Sequence, residues 1–151
     1  VEQDIRALME EAEDLQQEVL RLVAADAEVF EPLARAYAIP KDDPQRAAVM
    51  EHALRTACTV PLDIMRACCR AIDLHREFGA KGSALAISDV GCGVACCQAA
   101  LKAASLNVFI NTKSMADRAY AGQIDAEADA LLETYVQRAE QVFAQVAGRF
   151  R

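Results

Sequence analysis

Apolar side chains at Ile5, Leu8, Ala12, Leu15, Val19 and Leu22 recur at alternating intervals of three and four residues. This places them on one seam of a helix that crosses its neighbours at a shallow angle. The next seam position is Asp26, read as a partly exposed or capped aspartate. Pro32 removes a backbone donor, so the helix is predicted to kink or restart there before running out at Ile39 and Pro40. Asp43 then reads as a helix cap, with Pro44 at the first helical position, where a missing N–H does no harm. Pro61 predicts a kink near Val60, with continuation through Leu62, Met65, Cys69 and Ile72. Gly79 and Gly82 mark a turn, and Ser83 can cap the helix that follows. From Asp125 a last helix repeats the seam through Leu132, Tyr135, Ala139, Val142 and Val146. Residues 107–111 are the one strand candidate, so the predicted class is all-α: a multihelical bundle with long kinked helices, forming a single domain over residues 1–151.

The third predicted helix differs from the others. Residues 84–101 carry one charged side chain, Asp89, among five alanines and three cysteines. That length approaches a membrane span, but small residues supply little bulk for lipid and a carboxylate is expensive in a bilayer. The expectation is a buried helix of a bundle, with Asp89 in its second turn. Gly93, Cys96, Ala100, Ala103 and Ala104 recur at spacings of three and four, so one face is smooth enough for another helix to approach closely. A carboxylate on such a face needs partners, a proton or a ligand, which makes Asp89 the first candidate for chemistry.

Charge narrows the choice of partner. The net charge of -7 argues against a general nucleic-acid surface, since phosphate binding needs clustered lysine and arginine. All four lysines, Lys41, Lys81, Lys102 and Lys113, lie in the middle of the chain, and Lys41 follows Tyr37 and Pro40 in a rigid corner. Six cysteines without a disulfide-like framework suit a reducing cytoplasm, and neither a signal peptide nor a membrane anchor is visible. Their spacing offers no C-x-x-C pair, so they read as small core residues and no metal is expected. His52 and His75 read as surface or capping residues. Asn107 and Asn111 stand one turn apart and face the same way. Asp89 and Asn107 are separated by eighteen residues, about 27 Å along a straight helix. A small site can use both only if an antiparallel neighbour brings them together. The chain also opens at Val1 inside a charged helix, which predicts an upstream segment missing from this sequence.

Four segments, taken in order, carry a resemblance: DAEVFEPLARAYAIPK from Asp26, VPLDIM from Val60, AISDVG from Ala86 and SLNVFINTKS from Ser105. Together they resemble the formiminotetrahydrofolate cyclodeaminase and methenyltetrahydrofolate cyclohydrolase family across nearly the whole chain. Members usually begin with a glycine-rich segment that is not seen before Val1; here Ser83 stands where asparagine is common and Phe109 where a basic residue is common. The resemblance implies a cytoplasmic homodimer that takes a tetrahydrofolate one-carbon adduct as substrate, with a formiminotransferase as a further partner. It implies Asp89 and Lys41 as catalytic residues and Tyr37, Asn107, Asn111 and Lys113 as substrate-binding ones. The alternative is a folate-binding or structural dimer subunit without catalysis.

Overall fold

The computed structural model describes residues 2–151 and consists of four long helices: α1 (Glu2–Tyr37), α2 (Arg46–Lys81), α3 (Ile87–Thr112) and α4 (Arg118–Ala147). A short 3-10 turn, Ala84–Ala86, leads into α3. Successive helices run antiparallel. Arg70 of α2 reaches Glu18 of α1, Asn111 of α3 reaches Ala57 of α2, and Gln98 of α3 reaches Val136 and Glu140 of α4. α2 lies between α1 and α3; α4 covers α3 and part of α2, while α1 packs mainly on α2. The main core fills the space between α2, α3 and α4 around Met65, Ile72, Val94, Leu101 and Val108. Fully burying an aliphatic side chain of this kind contributes about 1.5–3 kcal/mol.

Neither interior proline ends its helix. α1 continues through Pro32 because Leu33 and Ala36, 2% and 1% exposed, are held against Ala53, Leu54 and Ala57 of α2. Burial of a leucine is worth about as much as the roughly 3 kcal/mol an interior proline costs. α2 likewise runs unbroken through Pro61, which is itself buried. Other boundaries also differ from expectation. α2 starts at Arg46 and not at Pro44, because Arg46 N–H closes a tight turn on Asp43 O (3.1 Å). Asp43 still acts as a local acceptor, taking the Gln45 N–H at 2.8 Å. Ser83 Oγ accepts the Leu85 N–H at 3.2 Å and so caps the 3-10 turn, which moves Asp89 into the first turn of α3. Residues 107–111 are helical, since Val108 belongs to the buried face of α3. α4 starts seven residues before Asp125, capped by Asp117, whose side chain accepts the Tyr120 N–H at 3.0 Å.

The largest correction concerns α3, of whose 26 residues only nine are buried. Ala84–Thr112 is long and apolar enough to cross a membrane by length and composition. In this fold Val90, Val94, Leu101 and Val108 face the core, while Asp89, Cys92, Cys96, Ala99, Ala103, Leu106 and Ile110 are exposed. The small-residue stripe is divided accordingly: Ala104 is buried, Gly93 is half-buried, and Cys96, Ala100 and Ala103 face outward. Gly91 sets how closely α3 approaches α4, for a Cβ there would stand 2.9 Å from Val146 Cγ1.

Candidate functional site

The residues singled out from the sequence fall at opposite ends of the bundle. Asp89 opens α3 beside the C-terminal part of α2, where Ile5, His75, Phe78, Gly82, Ser83, Ala86, Asp89 and Val90 enclose a cleft of about 300 Å³. The turn that shapes its rim is fixed by the Gly82 N–H, which donates to Phe78 O at 2.8 Å, and by the Ser83 cap. Among the described residues no hydrogen bond or ion pair engages the Asp89 carboxylate, which is exposed at the first turn of α3. A carboxylate there meets the positive end of the helix dipole and remains free to receive a cation or a proton.

The other end gathers Tyr37, Lys41, Asn107, Asn111 and Lys113. Tyr37 ends α1, Lys41 lies in the turn that follows, and both are exposed. Asn107 and Asn111 share a face of α3 as expected, and Lys113 follows the helix. Asn111 has a structural task that its spacing alone did not reveal. Pro61 has no N–H to offer Ala57 O, the carbonyl one turn before it in α2. Asn111 Nδ2 supplies a donor to that oxygen at 3.3 Å and donates as well to Asn107 O at 2.9 Å. Its amide hydrogens are therefore used within the fold, and Oδ1, an acceptor, is what it can present to a ligand.

This second end is tied together by charge. Glu51 accepts the Ala116 N–H at 2.7 Å and the Asp117 N–H at 3.4 Å, and Arg55 bridges Glu51 (3.1 Å) and Asp117 (2.8 Å) while lying over the Tyr120 ring. The Ala116 N–H, helped by Arg55, holds the Glu51 carboxyl below its ordinary range; the Tyr120 N–H and Arg55 do the same for Asp117. Arg118 Nη1 donates to Thr112 O (2.7 Å) and Met115 O (3.2 Å), and Thr112 Oγ1 donates to Asp125 Oδ1 at 2.6 Å.

The cysteines divide by position. Cys58, Cys68 and Cys69 are buried, and burial pushes their thiols up to about 11, about 11 and about 12, so they stay protonated and pack as small apolar groups. Cys92 and Cys96 lie exposed on the outer face of α3. His75 departs from the surface or capping role expected of it. It is half-buried on the inner side of the Asp89 cleft, with Nδ1 2.7 Å from Ala71 O. The available signal was Gly93: a glycine within an apolar helix costs about 0.5–1 kcal/mol relative to alanine and calls for a reason in close approach.

Comparison with known proteins gives this geometry a family. Residues 1–130 match the family model described as Formiminotransferase-cyclodeaminase. The chain belongs to that family. It is 35% identical over 153 aligned residues to a methenyltetrahydrofolate cyclohydrolase of Methylorubrum extorquens, covering 99% of this chain and 74% of that protein. It is 30% identical over 132 residues to the formimidoyltransferase-cyclodeaminase of Sus scrofa, covering 85% of this chain and 24% of that longer protein. The fold matches the crystal structure of a formiminotetrahydrofolate cyclodeaminase from Thermotoga maritima with a TM-score of 0.79, over 97% of this chain and 73% of that one, at 24% identity. The four-helix arrangement of this member of the Formiminotransferase-cyclodeaminase family is thus shared with that structure.

Proposed function

We infer that this chain is a folate one-carbon enzyme that interconverts 5-formimino- or 10-formyl-tetrahydrofolate and 5,10-methenyltetrahydrofolate. The observation that carries this reading is the 35% identity to a methenyltetrahydrofolate cyclohydrolase, sustained over 99% of the chain. In cyclodeamination, N10 of the folate attacks the formimino carbon on N5 and ammonia departs; in cyclohydrolysis, water adds to the cationic methenyl bridge and one C–N bond opens. Both pass through a tetrahedral carbon beside a delocalised cation. Asp89, exposed at the mouth of its cleft and unpaired among the described residues, is suited to stabilise that cation or to move a proton. Lys41 serves the anionic tail of the substrate or acts as an acid, with Tyr37 and Lys113 at the same end of the bundle and the Asn107 and Asn111 amides on the pterin edge. No metal is assigned to the reaction.

The site is completed in a homodimer. The outer face of α3 leaves Leu106 and Ile110 67% and 66% exposed beside Cys92, Cys96, Ala99 and Ala103, an apolar stripe that a second copy can cover. Laid antiparallel on this face about its midpoint near Ala99, a second α3 brings Asp89 towards Asn107 of the partner subunit and removes the separation of about 27 Å. Free thiols suit a cytoplasmic setting, and a formiminotransferase would supply the formimino adduct. Turnover on 5-formimino- and 5,10-methenyl-tetrahydrofolate, measured with sedimentation on the same preparation, tests the whole reading. It predicts turnover by a species of twice the chain mass. Folate binding without turnover would select a non-catalytic subunit, and neither binding nor turnover would select a structural dimer.

A further inference from the structure

His75 and Gly93 place a second proton-exchanging group on the Asp89 cleft. The ring is fixed by its Nδ1, 2.7 Å from Ala71 O. A carbonyl oxygen only accepts, so Nδ1 carries the hydrogen and, in the neutral ring, Nε2 presents a lone pair. Among the described residues nothing hydrogen-bonds to Nε2. The ring lies where a side chain at position 93 would begin: a Cβ built on Gly93 would stand 2.0 Å from Nε2 and 2.7 Å from Cδ2. Any residue larger than glycine at that position displaces the imidazole.

This substitution of one group for another sets the geometry. Asp89 and Gly93 are four residues apart on one face of α3, a spacing at which Cβ atoms stand about 5–6 Å apart. Because Nε2 takes the place of the residue-93 side chain, it becomes the neighbour of Asp89 along the helix. His75 and Asp89 line the same cleft of about 300 Å³, together with Val90, Phe78 and the Gly82–Ser83 turn. A carboxylate that balances a cationic intermediate works best while it stays ionised. A second group is then needed for the proton that both reactions must move, and an imidazole with one nitrogen free can take and return it.

We propose that His75 carries the transferred proton in the Asp89 cleft, a role that rests on reading this cleft as the folate site. In cyclodeamination the formimino group reacts as its protonated amidinium form: the N10–carbon bond forms and the C=N electron pair moves onto the =NH2+ nitrogen, which becomes a neutral amine. Nε2 takes the N10 proton and hands it to the amine nitrogen, which departs as ammonia with the bonding pair. In cyclohydrolysis the water oxygen bonds to the methenyl carbon and Nε2 takes a water proton. N5 receives that proton as its bond to carbon breaks, and the remaining hydroxyl proton passes to solvent, leaving the formyl group on N10. Gly93 is the positioning residue that makes room for the ring.

The test compares wild type, His75→Ala, Gly93→Ala and the double variant, with turnover on both adducts and circular dichroism melts on each preparation. His75→Ala is expected to lower kcat roughly 100-fold with KM within about threefold, and free imidazole should restore part of the loss in a saturable way. Gly93→Ala should also lower kcat in the presence of His75 and change nothing further in the His75→Ala background, where the space is vacant. His75→Gln, which keeps a side chain over Gly93, should lose turnover likewise and covers the case of an alanine variant that folds poorly. A role in packing alone predicts lower thermal stability, unchanged kcat per folded molecule and no effect of imidazole; that pattern overturns the proposal. Wild-type protein that turns over neither adduct overturns the folate reading and this role with it, whereas full turnover by folded His75→Ala overturns this role alone.

Discussion

The two ends of the bundle hold comparable sets of polar groups and use them in opposite ways. Where α3 passes into α4, Glu51, Arg55, Asp117, Arg118, Thr112, Asp125 and Asn111 are spent on one another and on backbone groups. Where α2 passes into α3, the turn is held by the Gly82 N–H and the Ser83 hydroxyl, Leu85 is 95% exposed, and among the described residues the Asp89 carboxylate and His75 Nε2 have no hydrogen-bond partner. Polar groups that hold a fold are unavailable to a substrate; those left unsatisfied on a cleft are available. Substitutions of the groups tied to one another should therefore cost stability, and substitutions of Asp89 and His75 at the open end should cost turnover.

Asn111→Ala leaves Ala57 O facing the missing Pro61 N–H, and loss of about 1–3 kcal/mol is expected. Thermal melts should shift down by roughly 2–4 °C per kcal/mol in a chain of this size. Thr112→Val, which removes the donor to Asp125 at a buried position, should cost a similar amount. Loss of turnover in Thr112→Val beyond its loss of folded protein would break the division of labour; Asn111→Ala, which also removes an amide placed on the substrate, is read for stability alone. The tied end should also set the acid limit of stability. Glu51 and Asp117 titrate below their ordinary values of 4.5 and 3.8, so between those and the lowered values the unfolded chain binds more protons than the folded one. Their contribution is complete above about pH 4.5–5 and is lost as pH falls through the folded values. Urea melts from pH 6 to pH 3 on Glu51→Gln/Asp117→Asn should show a shallower decline than wild type. The smallest effect is expected from Ser83→Ala, about 0.5–1 kcal/mol or less, because the cap serves a three-residue turn.

Legibility in the sequence followed the same division. The four helices were readable because Leu8, Leu15, Met65, Ile72, Val142 and Val146 fall on seams that the fold buries or half-buries. At Pro61 the helix continues as expected, and at Pro32 it continues without a restart, since the buried leucine and the asparagine compensate for the lost hydrogen bonds that propensity weighs. α3 misled: alanine and cysteine read as core, yet six of the eight in the helix face outward on a smooth strip. Asp89 was found as a charge without company in its own segment. His75 was passed over because its significance depends on Gly93, a residue eighteen positions away on the neighbouring antiparallel helix.

Asp89→Asn addresses the central claim most directly, since it keeps the shape of the side chain and removes both its charge and its capacity to take a proton. Turnover and thermal melts on the same preparations should show an unshifted melting transition and a loss of turnover of roughly 100-fold or more. A folded Asp89→Asn protein with near-normal turnover, or one whose activity falls only in step with its stability, would contradict the assignment of chemistry to this end of the bundle.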